Sequence, residues 1–209
     1  MMVYVSHLRD GESLGRCYND IMEACPDPWA LILDHDVLVL SPKWHCRLEA
    51  MTRGCVNRVG WISAVTNRCF CQTQQSAFYG SMNAAPASDN IAEHIAYGAH
   101  MTAECGDALA PGLSRDAALR HPFADVFSGM FMLLNREAWR DVGGFPEHEG
   151  QFAARSTLGT EVQFQLTGLL GWDNAYCLRL RNHGYSTLVA PGIYCYHIRE
   201  AKPEWSHKP

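Results

Sequence analysis

The sequence predicts an α/β domain in which helices flank a mostly parallel central sheet. Three observations carry that prediction. A β-rich opening at Val3–Ser6, a helical pattern from Leu14 to about Ala24 and an apolar run at Trp29–Leu33 follow one another within about 30 residues, the strand–helix–strand order of a parallel βαβ unit. The stretch Leu31 to Leu40 reads as a buried strand interrupted by Asp34 and Asp36, at the end where open α/β sheets bind ligands. Farther along, apolar strand-like runs alternate with helical patterns as far as His197.

Taken in order, Leu14, Cys17, Tyr18, Ile21 and Met22 recur at three- and four-residue spacing and give the first helix one apolar face, which Pro26 and Pro28 terminate. Trp44–Met51 is predicted as the second helix. Val59–Val65 is predicted as a strand running into the polar Thr66-Asn67-Arg68. Between Cys69 and Arg120 the pattern is weaker, with a small-residue loop at Gly80–Ser88 and a helix from Ile91 to about Ala103. Phe127–Leu134 reads as a strand, and Arg136–Val142 as a short helix stopped by Gly143-Gly144. Val162–Leu170 and Ala175–Arg181 are predicted helical, separated by Gly171, and Gly184 supplies a further stop. Thr187–Ala190 and Ile193–Tyr196 are strand-like. Residues 1–200 are expected to form one domain and residues 201–209 a C-terminal tail whose Trp205 could dock on the body.

Composition bounds the function. With 209 residues, 47% hydrophobic and 19% charged, the chain belongs with ordinary globular domains. A net charge of −5 gives no general electrostatic footprint for nucleic acid. Nine cysteines without zinc-finger spacing, Cys69-Phe70-Cys71 being too tight for a CxxC motif, are expected to be reduced and mostly buried, which favours a cytoplasmic location. The opening Met-Met-Val-Tyr-Val-Ser lacks the pattern of a signal peptide, and no run of about 18 apolar residues exists to span a membrane.

Asp34 and Asp36 are the chemistry-bearing pair. Two carboxylates one residue apart in an apolar strand need neutralising, and a divalent cation, Mg²⁺ or Mn²⁺, would do so while bridging to a substrate's phosphates. An exposed turn between two short strands is the alternative.

Four patterns stand in order: Asp34-His35-Asp36; Phe127-Ser-Gly-Met-Phe-Met-Leu-Leu-Asn-Arg-Glu-Ala-Trp139 followed by Val142-Gly-Gly-Phe145; Trp172-Asp-Asn-Ala-Tyr-Cys-Leu-Arg-Leu-Arg-Asn-His-Gly-Tyr185; and Ala190-Pro-Gly-Ile-Tyr-Cys-Tyr-His197. Together they resemble the nucleotide-sugar glycosyltransferases of the GT-A fold, a Rossmann-like single domain, in particular small family 2-like members and compact versions found in phage genomes. The resemblance covers most of residues 1–200. It implies a metal held by Asp36 chiefly, with Asp34 nearer the nucleotide ribose and His197 completing the shell. It implies a base that deprotonates an acceptor hydroxyl at Asp173, with Glu161 as the rival. Asp173 would otherwise be a helix cap, and His197 a core histidine at a strand end. Asn19 matches an asparagine often seen in the family; Arg68 could pair with a phosphate or be solvated; Ser128-Gly129 and Gly143-Gly144-Phe145 would shape the acceptor side.

The expected activity is metal-dependent transfer of a sugar from a nucleoside-diphosphate sugar, UDP by family default, to a hydroxyl of a glycan or small molecule, with inversion. Alternatives are glycosylation of a modified base in phage DNA, nucleotidyl transfer, or a catalytically silent sugar- or nucleotide-binding module. One departure from the family stands out. Between Ser6 and Asp34 there is no second strand ending in a base-reading aspartate, so base recognition would fall to the loop Ser6–Ser13 or to stacking on Tyr4.

Overall fold

A seven-stranded mixed sheet organises the computed structural model, which describes residues 1–6, 13–55, 58–69, 71–79, 84–112, 126–148, 150–155, 161–166 and 171–198, with the backbone alone described for 72, 152–155 and 161–166. The strands are Met2–Val5 (β1), Trp29–Leu33 (β2), Val37–Val39 (β3), Val59–Thr66 (β4), Ala110–Pro111 (β5), Phe131–Asn135 (β6) and Ser186–His197 (β9), and a separate hairpin pairs Gly150–Arg155 (β7) with Glu161–Leu166 (β8). The helices are Leu14–Ala24 (α1), Trp44–Gly54 (α2), Ile91–Cys105 (α3), Arg136–Asp141 (α4) and Trp172–Asn182 (α5). Sheet order is β1-β2-β6-β4-β9-β3, with β5 also on β9.

The central strands are apolar at successive positions because both faces are covered. Ala30 and Ile32 of β2 join a core with Tyr18 and Met22 of α1, Tyr97 and Met101 of α3, Ala138 of α4 and Tyr176, Cys177, Leu178 and Leu180 of α5. Leu31 and Leu33 point the other way, into a second core with Leu48 and Met51 of α2. All eight residues of β4 are buried.

The sheet is not mostly parallel. β1/β2 and β4/β9 are parallel, but β6 runs antiparallel to both β2 and β4, and β3 and β5 run antiparallel to β9. Local pattern marks a strand without giving its direction, and β6 takes its direction from the edge at which the chain re-enters the sheet. That reversal matters for the site. Leu33 pairs with Phe131, so the segment leading into β6 arrives at the same edge as Asp34.

Three further expectations are corrected. Val162–Leu170 is not a helix: Glu161–Leu166 is β8, antiparallel to β7, while 167–170 lie outside the described residues. Val162, Phe164 and Leu166 alternate with Gln163 and Gln165, the period of a strand. The strand expected over Phe127–Leu134 starts only at Phe131, since the backbone amides of Ser128 and Gly129 donate to side chains instead of a ladder. The two pieces expected at Thr187–Ala190 and Ile193–Tyr196 form one strand, β9, with a bulge at 191–193. The carbonyl of Gly192 in that bulge accepts from Ser41 Oγ at 3.1 Å, Thr102 Oγ1 at 2.9 Å and Arg47 Nη1 at 2.9 Å.

All nine thiols are free. Among the described residues no helix is long and apolar enough to cross a membrane. The expected tail, 201–209, and most of the expected base-reading loop, 7–12, lie outside the described residues, as do 80–83 of the small-residue loop.

Candidate functional site

The carboxyl ends of β1, β2 and β4 and the amino end of β6 share one edge of the sheet, and Ser6, Asp34, Asp36, Asp173 and His197 gather there. Ser6 follows β1 and donates its amide to Leu33 O at 2.9 Å. Asp34 follows β2, donates its amide to Met130 O at 3.2 Å and accepts at its own carbonyl from Val37 N at 3.2 Å. The second bond closes a tight turn that carries Asp36 back towards the sheet.

Burial first, then the charges of Asp173 and Asp36, push the Asp34 carboxyl up to about 6, against a smaller opposing pull from His197 and from the Ser6 hydroxyl, which donates to Asp34 Oδ1 at 3.4 Å. Three acids therefore share one low-dielectric edge. Such repulsion is relieved by a proton or by a cation.

His197 ends β9, where Val37 pairs with it across the β3–β9 ladder. Its Nε2 lies 3.0 Å from Asp36 Oδ2, and its Nδ1 lies 3.3 Å from the carbonyl oxygen of Arg68. With its hydrogen on Nε2 the ring donates to the Asp36 carboxylate; in the other tautomer Nδ1–H donates to the Arg68 carbonyl and the Nε2 lone pair is left for a cation shared with Asp36. A separation near 3 Å also suits adjacent ligands at about 2.1 Å from one ion. Both side chains keep partial access to solvent, 25% for His197 and 23% for Asp36. Among the described residues, however, no group of three or more His, Cys, Asp or Glu side chains is arranged to hold a metal. Asp36 and His197 meet; Asp34 joins them through its field.

Asn67, passed over as a functional residue in the sequence, fixes His197. Its Oδ1 accepts from His197 N at 2.9 Å and its Nδ2 donates to His197 O at 3.3 Å, gripping the strand end through the backbone. The signal available was its place directly after a strand that ends at the ligand edge.

Asp173 sits in the first turn of α5, whose N-cap is Gly171. It is therefore not the cap. Its Oδ1 accepts from Asn174 N at 2.8 Å and its Oδ2 from Gly129 N at 2.6 Å, and burial raises its proton affinity against the pull of those amides. A Cβ at Gly129 would stand 3.0 Å from Asp173 Cβ, so glycine is what lets the two backbones approach. Tyr18, another residue missed in the sequence, is buried on α1, and its phenol is pushed up by burial and then by the charges of Asp34 and Asp173.

The remaining candidates are distributed differently. Tyr4 is half-buried and packs against the core, with its hydroxyl 3.5 Å from Met2 Sδ. Asn19 is held around Phe145, donating to Phe145 O and Glu147 Oε1 and accepting from Trp139 Nε1 and Phe145 N. Arg68 is exposed and contributes its carbonyl to His197. Glu161 opens β8, paired with Arg155, and its side chain lies outside the described residues. Gly143 and Gly144 both have positive φ, 77° and 71°, and form the turn after α4.

Set against models of known protein families, the chain matches none, and a comparison with curated proteins likewise finds no match.

Proposed function

We propose that the chain is a glycosyltransferase that moves a sugar from a nucleoside-diphosphate sugar to an acceptor hydroxyl, with inversion. The observation that supports this reading is the convergence of Asp34, Asp36, Asp173 and His197, drawn from three motifs of the ordered set, on one edge of the sheet. In this reading Asp173 takes the proton from the acceptor hydroxyl, the acceptor oxygen bonds to the anomeric carbon, and the carbon–oxygen bond to the diphosphate breaks. A partly desolvated carboxylate with raised proton affinity suits the role. Asp34 lies towards the nucleotide, beside Ser6.

One carboxylate oxygen and one imidazole nitrogen, with a second carboxylate alongside, fit a divalent cation that draws its other ligands from phosphate and water. Asp36 and His197 would hold it. Bound Mn²⁺ or Mg²⁺ would supply charge stabilisation for the departing diphosphate.

Paired carboxylates also serve nucleotidyl transfer, and the products separate the two. A panel of activated sugars incubated with the protein and Mn²⁺ is expected to release nucleoside diphosphate, with release lost in Asp36→Ala. Pyrophosphate in its place would favour the nucleotidyltransferase reading, and release that survives excess chelator would remove the metal.

A further inference from the structure

Gln74 is fully buried at the end of a short 3-10 turn, Gln72–Gln74, and was not among the residues the sequence singled out. Its side-chain amide makes three hydrogen bonds to two distant segments. Nε2 donates to Ser63 Oγ of β4 at 2.6 Å and to Ser128 O at 3.1 Å, while Oε1 accepts from Ser128 N at 2.7 Å. Ser63 Oγ in turn donates to Phe131 O, at the first residue of β6, at 3.0 Å.

The Ser128 carbonyl and the Gly129 N–H belong to one planar peptide unit. Gln74 holds its oxygen end, and Asp173 Oδ2 accepts from its nitrogen end at 2.6 Å. Turning that plane about its flanking bonds breaks both hydrogen bonds together. The preceding amide, Ser128 N–H, is also held by Gln74, so the plane is fixed from two sides. Accepting at the carbonyl polarises the N–H of the same unit and strengthens the bond to the carboxylate. Close packing removes the remaining slack, since a Cβ at Gly129 would lie 3.2 Å from Asp173 Oδ2.

We propose that Gln74 is a positioning residue that aims the Gly129 N–H at the Asp173 carboxylate and so fixes the orientation of that carboxylate towards the acceptor. The kinetic consequence rests on Asp173 being the base; the structural one does not. The test combines amide NMR of the ligand-free protein with transfer kinetics. In Gln74→Met, which nearly conserves volume and removes every polar contact, the Gly129 amide proton is expected to lose its downfield position. The kcat is expected to fall about ten- to hundredfold with donor KM unchanged, the scale of a misplaced reacting group. Ser63→Ala, which takes away only the hydroxyl that anchors Nε2, is expected to move the same resonance less, in the same direction, and it carries the test if Gln74→Met does not fold. A Gly129 resonance unmoved in the folded variants overturns the proposal, and so does an unchanged kcat where the wild type turns over. If the wild type transfers no sugar, the glycosyltransferase reading falls and the Gly129 resonance alone decides the role of Gln74.

Discussion

The clasp around Asn19 and the acidic edge around Asp34 and Asp173 are both polar, both partly buried and both assembled from distant segments, yet they are built on opposite terms. In the clasp every group is answered: Asn19 Nδ2 donates to Phe145 O at 3.0 Å and Glu147 Oε1 at 2.9 Å, while Oδ1 accepts from Trp139 Nε1 at 2.9 Å and Phe145 N at 2.8 Å. At the acidic edge, like charges crowd together and two carboxyls bind protons more tightly than usual. A satisfied polar cluster holds a fold together, whereas crowded carboxylates weaken it unless something bound there gains from them. In the proposed reading Asn19 belongs to the architecture and the acids to the chemistry.

The largest effect expected from that contrast is at Asp173. Asp173→Asn should lower kcat by about a hundredfold or more, the scale of general-base loss, and leave donor binding nearly unchanged, with the fold retained although its one amide oxygen serves Gly129 N or Asn174 N but not both. Turnover assays and thermal unfolding on the same preparation check it. Near-native turnover in Asp173→Asn, together with its loss in Glu161→Gln, would move the base to Glu161.

Asn19→Ala should act the other way. Stripping partners from Trp139 Nε1 and both backbone groups of Phe145 should cost about 3 kcal/mol of stability, given about 1–3 kcal/mol for each buried group left unsatisfied. Urea unfolding measures it. Wild-type stability combined with weakened nucleotide binding would break the comparison and place Asn19 in the donor site.

Asp34 is expected to show the smallest effect, and its sign depends on pH. Its folded-state value of about 6 lies above the ordinary 3.8, so the folded protein takes up the extra proton between those values. The stabilisation that goes with that proton is complete below the unfolded value and is lost as pH rises through 6. Above it the ionised group opposes folding. Asp34→Asn should therefore stabilise the chelator-treated protein by on the order of 2 kcal/mol more at pH 7.5 than at pH 4. An equal change at both pH values would remove the crowding.

Much of the layout is legible before any coordinates, because β2, β4 and the helices α1, α2 and α3 carry continuous apolar runs or one-sided stripes set off by proline and glycine. Strand β8 is misread because Val162-Gln-Phe-Gln-Leu166 is short enough for a helix period to be laid over it. The direction of β6 and the pairing of β3 with β9 depend on where distant segments meet, which no local window contains. At the acidic edge, Asp34 and Asp36 stand out because a charge beside an apolar run is costly, and Asp173 and His197 through the resemblance their motifs carry. Gln74, Asn67 and Tyr18 do not, since their environment comes entirely from residues far away in the chain.

The bond between Asp36 and His197 spans 161 positions of the chain. Closing so long a loop is entropically expensive, and β9, which carries His197, also pairs with β3, β4 and β5. During synthesis the acidic turn thus emerges early, while its histidine is among the last described residues to follow. The growing chain must carry Asp34 and Asp36 without this partner across those 161 positions. A chain ending short of β9 would have the acids without the histidine that meets Asp36.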